Sequence, residues 1–287
     1  MASPDTIDGR WGPVHEGSVG DAVWALRRLR CSEQAAAGRV AAADLMAYLG
    51  LSDVLDHHDR AFFACRGIRQ GEVPVRTGDP CQYLYVVLGG SLAVRLIETD
   101  GTERVIGFQR TGDTLGLDGL ATGHYASESV ALEAGILAII PLGGQGRGGQ
   151  HVHRLPTFVR QLLGRQIIRD KATLAVMAAT HALARLGAFL LDWHERSADD
   201  GPSFELPMSR SAIASFLGVS RETISRACAD LGRAGIVTVR GSRFTIVDAD
   251  ALRRTAAAAM MPCHHHGREA LAGRMKPNTE VRELQAH

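Results

Sequence analysis

Leu206-Pro-Met-Ser-Arg-Ser-Ala-Ile-Ala-Ser-Phe-Leu-Gly-Val-Ser-Arg-Glu-Thr-Ile-Ser-Arg226 is the stretch whose reading decides the fold of this 287-residue chain. Ser209 to Gly218 predicts a helix, Gly218-Val219-Ser220 a tight turn, and Arg221 to Ala234 a second helix followed by Gly235. Ile236–Arg240 and Arg243–Val247 then read as two short strands joined by Gly241-Ser242. Helix, glycine-containing turn, helix and hairpin make a winged helix-turn-helix. In the second helix Ile224, Ala227 and Leu231 share one face, to be buried, and Arg221, Glu222, Ser225 and Arg226 share the other.

Charge supports a polyanion as the partner of that exposed face. Between Pro207 and Arg243 lie Arg210, Arg221, Arg226, Arg233, Arg240 and Arg243 against Glu222 and Asp230, a local +4 in a chain of net +1. The rest is near −3, so a cationic field for nucleic acid sits on an otherwise acidic chain. Arg226 can fork onto guanine O6 and N7, Glu222 can accept from a cytosine amino group, and Ser225 is adaptable. Ser209, Arg210, Ser220, Arg221, Thr223, Arg240 and Arg243 are the candidates for holding the DNA backbone.

Upstream, the pattern from about Pro156 to Trp193 predicts one long helix. Leu163, Ile167, Asp170, Leu174, Met177 and His181 recur at alternating steps of four and three, the a/d spacing of a coiled-coil seam, and the stripe needs a partner. That partner is either the rest of its own domain or a second copy of the chain. On a two-fold seam Asp170 would face its own copy, where two carboxylates repel; the alternative places it in solvent beside Lys171.

Between Arg69 and Ile140 the texture is that of strands: Val73–Val75, Tyr83–Leu88, Ser91–Glu98, Glu103–Gln109 and Val130–Ile140. Asp100-Gly101 signals a tight hairpin, and short strands at this spacing suggest a sandwich or jelly roll. Glycines crowd Gly143–Gly149, a domain boundary, and Ala35–Leu49 reads as a short helix ended by Gly50. The expected organisation is α+β: an N-terminal extension (1–41), a sandwich or jelly-roll domain (42–150), a long helix (151–195), a winged helix-turn-helix (196–250) and a flexible tail (251–287).

The 206–226 stretch closely resembles the Crp/Fnr family of bacterial transcription regulators, with Leu-Gly, then Glu-Thr and Ser-Arg in the manner of the Fnr branch. Phe108-Gln-Arg-Thr-Gly-Asp-Thr-Leu-Gly-Leu-Asp-Gly-Leu-Ala-Thr-Gly-His-Tyr125 resembles the Fnr version of the cyclic-nucleotide-binding-type β-roll. The resemblance covers about Ala42 to Asp250, and implies that 42–150 is a cyclic-nucleotide-binding-like β-roll sensor and 151–195 a dimerisation helix. It implies that Glu222, Ser225 and Arg226 read the half-site, and that Leu163, Ile167, Asp170, Leu174 and Met177 line the seam of a homodimer. It also implies a palindromic double-stranded DNA site with TTGA half-sites, and contact with RNA polymerase through the Asp100-Gly101 hairpin.

The same comparison argues against two familiar effectors. Cyclic-AMP-binding members carry an Arg-Ser pair in the phosphate cassette, whereas Gly116-Leu117-Asp118-Gly119-Leu120 runs on to Tyr125-Ala126, and an anion would meet Asp118 with no cation nearby. Arg95 and Arg104 read as surface strand residues rather than substitutes. A [4Fe–4S] cluster needs four thiolates; Cys31 stands alone in the N-terminal region and the fourth-ligand position is Ala138. The cofactor is therefore left unassigned. His57, His58 and His124 read as ordinary surface histidines, Cys228 as a small apolar helix residue, and Cys263-His264-His265-His266 as too contiguous for good tetrahedral metal geometry.

Other classes fit poorly. The most apolar window, Leu174–Trp193, is broken by His181, Arg185 and Asp192, and no basic n-region opens the chain, so neither a membrane span nor a secretory signal is expected. Five scattered cysteines suit a reducing cytoplasm. No nucleophile–base pair, phosphate loop or metal-ligand spacing suggests an enzyme. A ligand-binding module acting on a partner protein is the alternative, and it leaves the helix-turn-helix unexplained.

Overall fold

The computed structural model describes residues 33–51, 62–143, 155–197 and 201–257. Most of the expected N-terminal extension with Cys31, His57 and His58, the glycines from Gly144 to Gly149, and Cys263–His266 in the expected tail lie outside them.

The N-terminal half is a β-roll of two sheets. One holds β1 (Arg39–Ala41), β2 (Phe62–Ile68), β8 (Gly135–Pro141), β3 (Tyr83–Gly89) and β6 (Thr114–Leu115) in that spatial order. The other holds β5 (Glu103–Arg110), β4 (Ser91–Ile97) and β7 (Glu128–Ala131). Both faces of the larger sheet are covered, so β3 reads as a continuous apolar run with its side chains alternating between two cores. Leu84, Val86 and Leu88 pack with Phe63, Ile140, helix α1 (Ala42–Tyr48) and the start of helix α2 (Leu155–Met177), through Phe158 and Leu162. Val87 points the other way, with Ile68 and Leu137, to meet Leu92 and Ala131 of the smaller sheet. At the β4–β5 turn Gly101 sits at φ 83°, and Thr102 donates its N–H to Asp100 Oδ1 at 2.8 Å, as the Asp-Gly signal requires.

Three readings of this half need correction. Val130–Ile140 is two strands in different sheets: β7 pairs with β4 and β8 with β2 and β3, and the chain crosses at Leu132–Ala134, where the Ser91 hydroxyl donates to Glu133 at 2.7 Å. Val73–Val75 is no strand but a single bridge, Val75 to Ser129. The helix expected over Ala35–Leu49 is interrupted by β1, which pairs with β2, a strand the sequence reading missed.

The long helix expected to Trp193 is also two helices. α2 ends at Met177 and α3 (Ala182–Glu195) begins after a turn at Ala178–His181. No glycine or proline marks the break; Arg185 makes it, its Nε donating to the Ala179 carbonyl at 2.8 Å. α3 then belongs to the C-terminal core: Leu186, Phe189, Leu190 and Trp193 pack with α4 (Arg210–Leu217), α5 (Arg221–Arg233), β9 (Ser203–Glu205), β10 (Val237–Arg240) and β11 (Arg243–Ile246). Where the tail was expected to begin, the chain forms α6 (Ala249–Ala257). Asp248 Oδ1 accepts the Ala251 N–H at its start, and Leu252 and Ala256 are buried, with Ala256 and Thr255 lying over Gly187 of α3.

The two halves meet along β5. Phe108 packs on Phe216 of α4 and on Phe189 and Trp193 of α3, with ring centroids 5.3, 5.8 and 6.2 Å away. Beside it, Val105 donates its backbone N–H to Ser215 Oγ at 3.0 Å.

Candidate nucleic-acid interface

The C-terminal site is built from its caps. Ser209 caps α4, accepting the Ala212 N–H at 3.1 Å; Gly218, at φ 65°, ends that helix in the left-handed conformation; Ser220 then caps α5 by accepting the Thr223 N–H at 3.1 Å. The Ser220 and Thr223 hydroxyls also bond each other at 2.9 Å. Ser209, Ser220 and Thr223 are thus committed to holding the helix starts and offer a phosphate chiefly the remaining capacity of their hydroxyls.

With its N-terminus fixed, α5 buries Ile224, Ala227, Cys228 and Leu231. Arg221, Glu222 and Arg226 are exposed and Ser225 is half-buried, so the structure brings together all four residues of the expected polar face. The backbone N–H of Glu222 and then the Ser220 hydroxyl, with smaller help from Arg221 and Arg226, hold its carboxyl below the ordinary range. Glu222 is therefore an ionised acceptor at neutral pH. Burial pushes the Cys228 thiol up, against a smaller opposing pull from Arg210, which leaves it a packing residue of the helix.

Among the described residues Arg210, Arg221, Arg226 and Arg240 form no salt bridge. Arg233 is paired with Asp230, and Arg243 with Glu205 at 2.9 Å, both partners of the latter pair being well exposed. Arg240 and Arg243 face each other across the Gly241-Ser242 turn of the wing. Arg243 is the one candidate backbone contact that must exchange a carboxylate for a phosphate.

The seam residues are divided. Leu163 packs on the core under the larger sheet and Met177 on the C-terminal core, while Ile167 and Leu174 remain 53% and 67% exposed. Ile168, which the a/d spacing passed over, is 70% exposed beside them. Asp170 is exposed and accepts from Gln166 Nε2 at 2.8 Å; His181 is exposed at the turn after α2.

A cavity of about 480 Å³ lies between the smaller sheet, the Gly116–Leu120 cassette, α2 and α3. The expectation of no cation near the cassette is corrected: Arg110, Arg169 and Arg196 line this cavity. All three are engaged. Buried Asp113 takes Arg169 from α2 and Arg196 from the end of α3, the latter at 2.5 Å. Arg110, lowered to about 10 by burial with a smaller repulsion from Arg196, donates to the Trp193 carbonyl at 2.8 Å and stacks on the Trp193 ring. In the cassette Asp118 accepts the Ser127 hydroxyl at 2.6 Å, and the Tyr125 hydroxyl is spent on the Tyr83 carbonyl at 2.7 Å. None of these three arginines stands free of a partner. Nor is Arg95 a free surface residue: it is half-buried and bridges Glu103 and buried Glu128, whereas Arg104 is exposed and paired with Glu98. The described cysteines fall in three places, Cys65 on β2 opposite Ala138, Cys81 before β3 and Cys228 on α5, and do not make a cluster set.

The Asp113 pairing, the Phe108 cluster and Arg185, which also donates to the Leu217 carbonyl at 2.9 Å, went unseen in the sequence because each joins residues more than 30 positions apart. No helix among the described residues is long and apolar enough to cross a membrane.

Residues 184–255 match the Crp-like helix-turn-helix domain family, and residues 65–144 the cyclic nucleotide-binding domain family. The chain is 32% identical over 190 residues to the transcriptional regulatory protein btr of Bordetella pertussis, covering 65% of this chain and 78% of that protein. It is 30% identical over 205 residues to the fumarate and nitrate reduction regulatory protein of Escherichia coli K12, covering 70% and 82%. In fold it is similar to FixK2 from Bradyrhizobium japonicum, with a TM-score of 0.60 at 21% identity, over 67% of this chain and 96% of that one.

Proposed function

Since the chain belongs to the Crp/Fnr family and is a DNA-binding transcription regulator rather than an enzyme, we propose that it works in the cytoplasm as a homodimer on a two-fold symmetric site of TTGA half-sites. The observation that carries this reading is the α5 face, where Arg221, ionised Glu222, Ser225 and Arg226 stand together on a helix anchored by its buried side and capped by Ser220. Glu222, Ser225 and Arg226 read bases; Arg210, Arg221, Arg240 and Arg243, with the hydroxyls of Ser209, Ser220 and Thr223, hold the backbone.

The exposed Ile167, Ile168 and Leu174 supply the apolar side of α2 that a second copy would cover. A two-fold pair presents its two α5 helices to successive major grooves about 34 Å apart, which is why the site is a palindrome. The Asp100-Gly101 turn, exposed at the tip of β4–β5, is the surface assigned to RNA polymerase. Sedimentation of the chain with a palindromic duplex should give two chains per duplex; one chain per duplex at saturation would sink the dimer reading.

A further inference from the structure

The wing hairpin belongs to a three-stranded sheet ordered β10, β11, β9, with β11 in the middle. Residues opposite each other in an antiparallel pair share a face, so the register sets side chains in rows across all three strands. Val239, Phe244 and Phe204 form one row, turned into the C-terminal core. The rows on either side of it point outward. One is neutral, Thr238, Thr245 and Ser203, with the last two hydroxyls bonded at 2.8 Å. The other is charged: Arg240, Arg243 and Glu205.

The charged row is uneven. Arg240 and Arg243 are like charges set directly opposite each other, and on the far side of Arg243 the Glu205 carboxylate lies 2.9 Å from its guanidinium. The strand that carries Glu205 is pinned: its backbone carbonyl accepts the Trp193 indole N–H at 3.2 Å, and Leu206 donates its N–H to the Ser242 carbonyl in the wing turn at 2.9 Å. The pair itself adds little to stability, since its side chains keep 60% and 57% of their surface in solvent. It does change the charge offered to a polyanion. A phosphate approaching Arg240 meets a cation with no salt bridge among the described residues. One approaching Arg243 must displace Glu205 or share the guanidinium with it, and in both cases its own negative charge comes to stand beside a carboxylate.

Building on the DNA-reading proposal, we infer that Glu205 is a positioning residue that restrains Arg243 and holds the wing's phosphate contact below what its two arginines could supply. The restraint falls on the DNA backbone, which every sequence presents alike, so it lowers affinity for any duplex and leaves a larger share of binding to the α5 face. Sequence-independent affinity is the part that would otherwise spread the protein over competing sites.

The test is anisotropy titration of the full chain on the TTGA palindrome and on a scrambled duplex over a series of salt concentrations, with Glu205→Gln, Arg243→Ala and the two combined. Glutamine keeps the length and hydrogen-bonding capacity of the side chain and removes only its charge. Glu205→Gln should tighten both duplexes by about two- to fivefold per bound chain, the weight of one exposed ion pair. It should also steepen the fall of log affinity with log salt by about 0.9 per chain, as one more phosphate is neutralised. Arg243→Ala alone should flatten that slope by less than half as much, whereas Arg240→Ala should flatten it by the full amount. Combining Arg243→Ala with Glu205→Gln should cancel the gain, because Glu205 acts through Arg243. An unchanged salt slope for Glu205→Gln, or a gain that survives Arg243→Ala, would overturn the inference while the DNA-reading proposal stands. Failure of the wild-type chain to bind either duplex would overturn both.

Discussion

Replacing Asp113 by alanine removes the carboxylate on which three elements converge. Asp113 is 2% exposed; it accepts the backbone N–H of Arg110 at 3.0 Å and neutralises Arg169 of α2 and Arg196 at the end of α3. Deleting one side of a buried ion pair costs about 3–5 kcal/mol, because the remaining charge is left uncompensated. Both arginine side chains keep 31% of their surface in solvent, which softens that penalty, and the orphaned Arg110 N–H adds about 1 kcal/mol. The expected loss for Asp113→Ala is therefore about 3 kcal/mol, and Asp113→Asn, which still accepts from the Arg110 N–H, loses about 1 kcal/mol less. Urea unfolding followed by far-ultraviolet circular dichroism measures it, with Asp113→Ala and Arg196→Ala combined in a double-mutant cycle. A loss under about 0.5 kcal/mol, the size expected of an exposed pair, would refute the reasoning.

Arg226→Ala should weaken binding to a TTGA palindrome by about 1–3 kcal/mol and relax discrimination at the base it faces, read by anisotropy with single-base variants; a loss uniform across sequences would make Arg226 a backbone contact instead. Asp170→Ala should tighten the dimer by removing paired carboxylates from the seam, and an unchanged dimerisation constant in sedimentation would discard that role. Burial raises the Cys65 thiol to about 11 from an ordinary 9, so the folded chain holds that proton more tightly than the unfolded one. The stability it contributes is full below pH 9 and is lost as pH rises toward 11, and at pH 8 iodoacetamide should label Cys65 only in urea; equal labelling of native protein would contradict the burial.

The helix-turn-helix was legible because its signals are local: serines at two helix starts, a glycine at Gly218 that must take positive φ, and an apolar face at helical spacing. The β4–β5 hairpin was legible for the same reason. Other features left weaker local marks or were set by distant groups. The break between α2 and α3 is stabilised by Arg185 on the Ala179 carbonyl, a contact that leaves no glycine or proline behind. The run Val130–Ile140 looks like one strand because both of its halves are buried, and only pairing with different sheets divides it. α6 did carry a signal, Asp248 as cap with Leu252 and Ala256 four and eight residues on, hidden in an alanine- and arginine-rich stretch that reads as a tail. The charge pairing in the cavity follows from Asp113, whose partners lie 56 and 83 residues away in sequence.

Specific DNA reading by α5 is the central claim, and anisotropy titration of the full chain on a TTGA palindrome and on a scrambled duplex, over a series of salt concentrations, tests it most directly. The account predicts affinity for the palindrome at least about 10³-fold above the scrambled site at physiological salt, with both affinities falling as salt rises, because binding releases condensed counterions from the contacted phosphates and added salt diminishes that gain. Equal affinity for the two duplexes would contradict it.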